Sequence, residues 1–306
     1  MTNINFPDSP TDGQVFGERK YNATKGVWED YVLPGDTTIP DLLVPGQVFG
    51  LAAEYLIIAG GGGGGNFAGG GAGGVINSYG TISYNFNVTV GGGGTGNSPA
   101  TNGEDSLIAD GVQTLTAIGG GKGGDGAYPS GGNGGSGGGR YGGSGYGGSI
   151  GSGTIGQGND GGGGGDGTAS YTSGGGGGGY SSVGESVANA AADGGSGLSS
   201  SITGSSQQYA GGGAGRSNNY GNGFLYGSAS FGAKNASANA NASDPNTGAG
   251  GSVTYSNGGS GIVIIKYNSA VSLTIDPGLV STTDDTTVSG YKITSFTSGT
   301  GTVTIS

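Results

Sequence analysis

Residues 54–65 read EYLIIAGGGGGG, an apolar strand-like run that leads directly into six consecutive glycines. Residues 258–267 read GGSGIVIIKY and show the reverse order, with glycines first and the apolar run second. Between these borders, residues 60–261 hold 72 of the 82 glycines of the chain. A flexible linker has no need of apolar strands at both of its ends. The borders therefore predict a folded, glycine-rich region.

The remaining sequence predicts β-structure. Helix-forming residues are scarce and no apolar stripe with a period of 3.6 residues appears, whereas short alternating segments are frequent. Apolar residues make up only 31% of the chain, which is too little for a conventional core along its whole length. We predict an all-β protein with no substantial α-helix. The strand-like segments are residues 75–79 and 84–90, residues 107–112 with an Asp110-Gly111 turn before residues 115–118, and residues 271–275.

Composition alone leaves the conformation of the glycine-rich region open. Collagen is excluded because glycine does not recur at every third position. Disorder is favoured by low complexity. Ordering the 72 glycines costs roughly 70–140 kcal/mol of backbone entropy, whereas each hydrogen bond returns only about 0.5–1.5 kcal/mol net. Isolated polyglycine should therefore stay unfolded.

Polyglycine II is the conformation that the bordering strands favour over disorder. It consists of extended left-handed threads with about three residues per turn and a rise of about 3.1 Å per residue. Threads without side chains can pack closely enough for each to bond to several neighbours. Strands that hold the thread ends reduce the entropy of loop closure. We predict short β-strands that bracket a bundle of polyglycine II helices, with the larger residues at turns or on the bundle surface.

The sequence divides into four predicted parts. Residues 1–33 carry turn signals and two short strand-like runs and predict an N-terminal β module. Residues 34–50 contain three prolines and predict a linker. Residues 51–268 are the predicted glycine-rich domain, and residues 269–306 a C-terminal β element.

Several stretches resemble known virion proteins. Residues 55–65 and 258–267 resemble the opening and closing signatures of the glycine-rich domain common in tail-fibre and other virion proteins of marine phages, especially cyanophages. Residues 290–300 look like the strand pair that usually precedes the opening signature, but here they follow the closing one. Residues 6–29 are similar to small modules near the start of such fibre proteins. By composition, the chain also resembles the tip adhesin of T-even long tail fibres.

The resemblance implies a protein of the virion surface, on the tail or a fibre, with other virion proteins as partners. We expect a non-catalytic adhesin that binds a host surface glycan or outer-membrane component, and that forms a homo-oligomer such as a trimer. One alternative is a capsid decoration or head-fibre protein with a purely structural role. Another is an extracellular filament or ice-binding protein built from the same threads.

Tyrosine supplies the candidate receptor contacts. The chain has 16 tyrosines, and many stand between glycine runs, where loops are expected. Tyrosine, serine, glycine and asparagine together are typical of adaptable binding loops. The alternative is that these side chains only cover the outer threads of the bundle. The candidate contacts are Tyr128, Arg140, Tyr141, Tyr146, Tyr171, Tyr180, Tyr209 and Tyr220. For attachment to the virion, the apolar residues of the N-terminal module are the candidates, namely Phe6, Val15, Phe16, Trp28 and Tyr31.

The sequence offers little for catalysis or cofactor binding. Histidine and cysteine are absent, so neither a Ser-His-Asp nor a Cys-His arrangement can form. Asp125 and Asp166 lie in stretches like single calcium-binding nonapeptides, and Asp284-Asp285 and Glu104-Asp105 could seed a metal site. Solvated loop carboxylates are the better interpretation. We expect no enzyme activity, no cofactor and no metal.

The net charge and the hydropathy of the chain exclude further classes of partner. The net charge of −11 disfavours nucleic acid, because phosphate and protein would repel. No apolar run is long enough to span a membrane, so we expect no membrane insertion. Residues 1–10 show neither the basic nor the apolar segment of a signal peptide.

Overall fold

The computed structural model describes residues 15–16, 19–22 and 27–30, and residues 50–306 except 144, 146, 166–170, 189, 220–222 and 240–241. Within these residues the chain forms eighteen β-strands and no helix, which confirms the predicted all-β class. The strands are β1 (Val15–Phe16), β2 (Arg19–Asn22), β3 (Val27–Asp30), β4 (Gly50–Ile58), β5 (Val75–Ser83), β6 (Asn85–Val90), β7 (Ser106–Ala109), β8 (Thr114–Ala117), β9 (Tyr141–Gly142), β10 (Tyr171–Gly174), β11 (Leu198–Ser200), β12 (Gln207–Tyr209), β13 (Arg216–Asn219), β14 (Gly223–Tyr226), β15 (Ile262–Asn268), β16 (Leu273–Ile275), β17 (Leu279–Asp284) and β18 (Tyr291–Ile305).

The chain divides into two compact units, Met1–Gln47 and Val48–Ser306. In the first unit, β1, β2 and β3 form a three-stranded antiparallel sheet. The sequence predicts only two strands here, because the middle strand (Arg19–Asn22) has no apolar alternation to reveal it. Gly50 begins β4, so the last residue of the predicted linker belongs to the second unit.

The second unit is organised by one large sheet, nearly closed into a barrel. Its main order is β5-β4-β15-β18-β6-β7-β8. The two predicted border strands, β4 and β15, are neighbours in this sheet and pair antiparallel, with Ile57 opposite Val263. The two ends of the glycine-rich region therefore start from adjacent positions.

Strand β18 holds this sheet together. Along its first half β18 pairs with both β15 and β17, and along its second half with both β6 and β16. For residues 269–306, the predicted C-terminal β element, the sequence leaves open whether they complete the same domain or begin a truncated second module. They are part of the same sheet as the glycine-rich region. The sequence does not decide between the two because β18 pairs with β6, more than two hundred positions earlier in the chain.

The two faces of β4 and β15 are both buried. Tyr55, Ile57 and Val263 point into the barrel and join its apolar core. Leu56 and Ile264 point the opposite way and pack in a second apolar cluster beneath the glycine-rich region. Burial on both faces explains why the two border strands are continuously apolar instead of alternating.

The glycine-rich region leaves the sheet as extended threads whose hydrogen bonds repeat every three residues. The amides of Gly60–Gly65 donate, in order, to the carbonyls of Glu104, Gly259, Gly71, Thr101, Ser256 and Ala68, over 2.9–3.0 Å. Residues three positions apart thus donate to the same neighbouring segment. The carbonyls of Gly60–Gly63 accept from the amides of Gly120, Gly94, Gly251 and Gly123, over 2.8–2.9 Å. This thread is bonded to neighbours on all sides.

The returning thread has the same period. The amides of residues 68–74 donate, in order, to the carbonyls of Gly124, Gly175, Gly251, Gly121, Gly178, Gly248 and Ile118, over 2.7–3.2 Å. Again, amides three positions apart donate to the same neighbouring segment. A period of three is the one that the predicted polyglycine II conformation would give.

At several positions of the bundle, side-chain oxygens take the place of backbone acceptors. Gly119 donates to the Asp105 carboxylate over 2.7 Å, and Lys122, three residues on, donates its amide to the Asn102 side chain over 2.9 Å. Gly92 donates in the same way to the Glu104 carboxylate, over 3.0 Å. These side chains belong to the adjacent segment 102–105, whose Gly103 and Glu104 amides donate to the carbonyls of Gly120 and Gly92, each over 2.9 Å.

Candidate functional site

The turns farthest from the large sheet bring distant parts of the chain together. The first thread leaves β4 at Ala59, turns at Asn66 and Phe67, and returns to β5 at Val75. About seven residues of extended chain place this turn about 20 Å from the sheet. The amide of Arg216 donates to the Phe67 carbonyl over 2.9 Å, which places the start of β13 at the same end.

Arg216 is the centre of a cluster at this end. Its guanidinium carbon lies 4.7 Å from the centroid of the Phe67 ring and 4.3 Å from that of Phe224, so the cation stacks between two aromatic rings. Its side chain also donates to Asn66. We call Asn66, Phe67, Arg216, Phe224, Tyr226 and Tyr255 the distal cluster.

Arg216 is a buried cation with few polar partners. Only 7% of the residue is exposed, and its Nε makes no hydrogen bond with the described residues. Burial lowers the pKa of Arg216, while a hydrogen bond with Tyr226 and the charges of Tyr226 and Tyr255 act to raise it. Cation–π contacts of a desolvated arginine stabilise by about 2 kcal/mol, so the guanidinium fixes both rings.

The distal cluster presents apolar surface to solvent. Phe224 is 45% exposed and its neighbour Leu225 is 52% exposed, although both lie in β14. Tyr255 is 38% exposed, and Tyr128, in another turn, is 50% exposed. Aromatic rings whose inner edges are held by a buried cation form a rigid surface, which loses little entropy when it binds a partner.

Backbone strain also occurs at this end. Thr254 and Tyr255 have φ values of 60° and 61°, in the left-handed region that side-chain-bearing residues rarely adopt. For a β-branched residue such as Thr254 this conformation costs about 1–3 kcal/mol. Strain of this kind is retained where the surrounding structure requires it, often at binding sites.

Comparison with known protein families gives one result. The profile of the glycine-rich domain family matches residues 45–268. The chain belongs to the glycine-rich domain family. No curated protein and no solved structure matches the chain. The match ends at the close of β15, so β16, β17 and β18 lie outside the family's glycine-rich domain and yet complete its sheet.

The glycine-rich domain places some of the predicted receptor contacts at the distal end. The Tyr141 amide donates to the Pro129 carbonyl over 2.9 Å, so the neighbouring Tyr128 and Arg140 lie in this region too. The Arg140 guanidinium donates to the Gly164 carbonyl and so links two segments of the bundle. Tyr171 begins β10, which pairs with β13 of the same small sheet. Tyr146 and Tyr220 lie outside the described residues.

Two of the predicted contacts, Tyr141 and Tyr209, need correction. Tyr141 is only 5% exposed because its ring packs on Phe67, 5.0 Å between centroids. Tyr209 is 6% exposed and belongs to the apolar cluster beside β4 and β15, where Tyr180 also packs. These tyrosines fill the interior of the glycine-rich domain and do not cover its surface. Burial leaves Tyr141 and Tyr209 with little surface for a receptor contact at the distal end, whereas Tyr180 is only partly buried.

Sequence reasoning missed the distal cluster itself. Arg216 and Phe67 are 149 positions apart, and no spacing rule relates them. One signal was present, because Phe67 and Phe224 are large apolar residues that interrupt glycine-rich stretches where no alternating strand requires them. The predicted contacts, seven tyrosines and Arg140, do not include them.

The candidate attachment residues fall in the N-terminal unit. Val15 and Phe16 form β1, and Trp28 lies in β3. Phe6 and Tyr31 lie outside the described residues. The attachment hypothesis therefore stays a prediction.

The carboxylates considered for metal binding have local partners. Asp125 accepts from the amides of Ala127 and Tyr128, each over 2.8 Å, and Asp284 accepts from the amides of Thr286 and Thr287. Both are turns closed by an aspartate on its own backbone. Asp166 lies outside the described residues. Among the described residues, no group of three or more histidine, cysteine or acidic side chains is placed to hold a metal ion. None of the described segments is a helix long and apolar enough to cross a membrane.

Proposed function

We propose that the protein is a phage virion component of the tail or a fibre and acts as a non-catalytic adhesin through the distal end of its glycine-rich domain. The observation that carries the proposal is the exposed pair Phe224 and Leu225, held beside a buried Arg216. Exposed aromatic and aliphatic side chains on a rigid support are typical anchors of a binding surface.

The arrangement of the threads supports the same proposal. We interpret the threads as polyglycine II, because their hydrogen bonds repeat every three residues. Such a bundle can change its turns without changing its interior, since thread packing uses only the backbone. The turns can thus vary with the receptor while the threads and the sheet stay constant.

The proposed partners follow from this role. The N-terminal unit would attach to other virion proteins through the residues of β1 and β3. The distal cluster would bind a host surface glycan or outer-membrane component. Assembly as a homo-oligomer such as a trimer is what the resemblance to fibre proteins implies. The alternative is a decoration or head-fibre protein, in which the distal residues only cover the bundle.

Two measurements test the proposal. Immunogold labelling of intact particles with an antibody against residues 120–260 should mark fibre or tail tips. Label spread over the head would favour the decoration alternative. In the second measurement, host-cell binding of the purified protein should fall about tenfold or more in Phe224→Ser with Leu225→Ser.

The matched control for the binding assay is Ile155→Ser. Ile155 is fully exposed and lies near Gln157, which bonds to the segment 116–118 beside the sheet. An equal loss of binding in the control and the distal variant would overturn a specific role for the distal end. Unchanged melting temperatures would show that both variants are folded.

A further inference from the structure

A groove lies beside the large sheet, at the opposite end of the bundle from the distal cluster. Its volume is about 550 Å³, within the range of small-molecule sites. Three segments line it, namely residues 203–209 of the β11–β12 hairpin, residues 245–247, and the turn after β17 with Asp284 and Thr287. We call this feature the base groove.

The walls of the base groove are held in place. A Cβ added at Gly204 would lie 2.5 Å from a methyl carbon of Thr287, so the hairpin turn rests directly on the turn after β17. Ile202 is 2% exposed, and Val288 packs against the same apolar cluster. The groove is therefore preformed between fixed segments.

The polar groups of the groove are hydrogen-bond donors and acceptors that suit a ligand with hydroxyl groups. Gln208 is exposed, and its side-chain amide makes no hydrogen bond within the described part of the chain. Asn246 accepts from Ser260 through Oδ1, which leaves its Nδ2 to donate. The amides of Thr286 and Thr287 and the Thr286 hydroxyl donate to Oδ1 of Asp284, so the carboxylate is held in one orientation at the edge of the groove.

Asp284 is ionised at neutral pH. Hydrogen bonds from the Thr287 side chain and from the backbone of Thr286 and Thr287 hold the pKa of Asp284 well below its usual range. A fixed carboxylate accepts hydrogen bonds from two adjacent hydroxyl groups, while amide groups donate to their oxygens. The groove thus combines strong acceptors and donors within one small volume.

The charge of the chain and the apolar residues of the groove limit the class of ligand that can bind. None of the described residues that line the groove is a lysine or arginine, and the chain carries a net charge of −11, so an anionic ligand is disfavoured. The lining also includes Tyr209, Pro245 and Ile262, which supply apolar surface. A ligand with an apolar carbon face and several neutral hydroxyl groups satisfies both requirements.

We propose that the base groove binds a neutral saccharide of one or two hexose units. The carboxylate of Asp284 accepts from ring hydroxyls, the amides of Gln208 and Asn246 donate to them, and the C–H face of the sugar lies on the apolar floor. This site is separate from the distal cluster, so it can fail without affecting the adhesin proposal, and the adhesin proposal can fail without affecting it.

The test is to add sugars stepwise to the full chain and to record the NMR signals of its side-chain and backbone amides. The probes are D-glucose, D-galactose, D-mannose and N-acetyl-D-glucosamine, with D-glucuronate as the acidic comparison. At least one neutral sugar should shift the amide signals of Gln207, Gln208 and Thr287, and D-glucuronate should not. Absence of shifts with all four neutral sugars, or equal binding of D-glucuronate, would overturn the proposal.

Variants locate the site. Gln208→Ala should weaken binding about threefold to tenfold, and Asp284→Asn about tenfold or more, since the charge is lost while Oδ1 can still close the turn. Asn77→Ala removes an exposed strand amide outside the groove and should bind like the unaltered chain. Equal affinities in all three variants would place any bound sugar elsewhere and refute the assignment.

Discussion

Glycine in the threads is required because no space exists for a Cβ. A Cβ at Gly62 would lie 2.2 Å from the carbonyl oxygen of Gly121, which is backbone and cannot move aside. We expect Gly62→Ala to lower the free energy of unfolding by about 3 kcal/mol, the upper range for overpacking. Thermal or urea unfolding followed by circular dichroism would measure this loss.

Gly126 provides the matched control for this substitution. It lies in a turn where an added Cβ would meet nothing within 4 Å, and it has no positive φ. Gly126→Ala should therefore be neutral or stabilise by about 0.4–1 kcal/mol through the unfolded state. Equal destabilisation by both substitutions would contradict the close packing of the threads.

Asp110 makes stability depend on pH. Burial acts to raise the pKa of this carboxyl, but hydrogen bonds from the amides of Gln113, Ser83 and Val112 keep it below its usual value. A depressed pKa stabilises the fold above the unfolded value of about 3.9, and this contribution is lost as pH falls through the folded value.

We therefore expect Asp110→Ala to cost about 1.5–3 kcal/mol at neutral pH. The difference from the unaltered chain should shrink below about pH 4, where protonation removes the same stabilisation. Urea unfolding at a series of pH values measures both curves. A difference that stays constant down to acid pH would show that the charge of Asp110 is unimportant.

At the scale of single residues, sequence reasoning succeeded with local chemistry and failed with distant contacts. The Asp110-Gly111 turn was predicted, and Gly111 has the positive φ of 80° that such a turn requires. Tyr141 was expected at the surface, but it is buried by Phe67, a partner that no local pattern indicates. The role of Arg216 depends on the same distant segment.

Among the elements, β18 has the widest influence. It contacts β15, β17, β6 and β16, and its Phe296 is fully buried in the barrel core. We expect a fragment of residues 45–268, the part matched by the family, to lack a stable fold because two neighbouring strands lose their partner. Size-exclusion chromatography and thermal unfolding would test this. A monomeric fragment that melts like the full chain would contradict it.

A point substitution in β18 tests the contribution of its side-chain packing without removing the strand. Phe296→Ala should destabilise by about 3–5 kcal/mol, the range for removal of a buried aromatic side chain. Thr304→Ala, at an exposed position of β18, should change stability by less than about 0.5 kcal/mol. Comparable losses from both substitutions would argue that β18 is not anchored through the barrel core.

The sequence predicts where several strands lie, but it does not predict which strands pair with each other. Strands β4, β6, β7, β8 and β15 each have an apolar alternation or run that identifies them. The insertion of β18 between β15 and β6 depends on contacts over more than two hundred positions. Register over such distances is fixed by side-chain burial on both faces and not by any local signal.

For the whole molecule, the two compact units predict separable roles. Deleting residues 1–35 should abolish incorporation of the protein into particles and leave the melting temperature of the second unit unchanged, because units Met1–Gln47 and Val48–Ser306 each have their own contacts. Complementation of a phage lacking the gene, followed by immunoblotting of purified particles, measures incorporation. Retained incorporation would refute the attachment role of the N-terminal unit.

The side-chain acceptors of residues 102–105 show how the bundle admits residues other than glycine. Asp105 and Asn102 accept from amides of the thread of residues 119–124, and the amide of Gly103 between them donates to the same thread. A side-chain oxygen thus occupies an acceptor position that a backbone carbonyl fills elsewhere, as a substituted atom occupies a lattice site in a mixed crystal. A polar residue can therefore enter a thread where its side chain supplies an acceptor to the neighbouring thread.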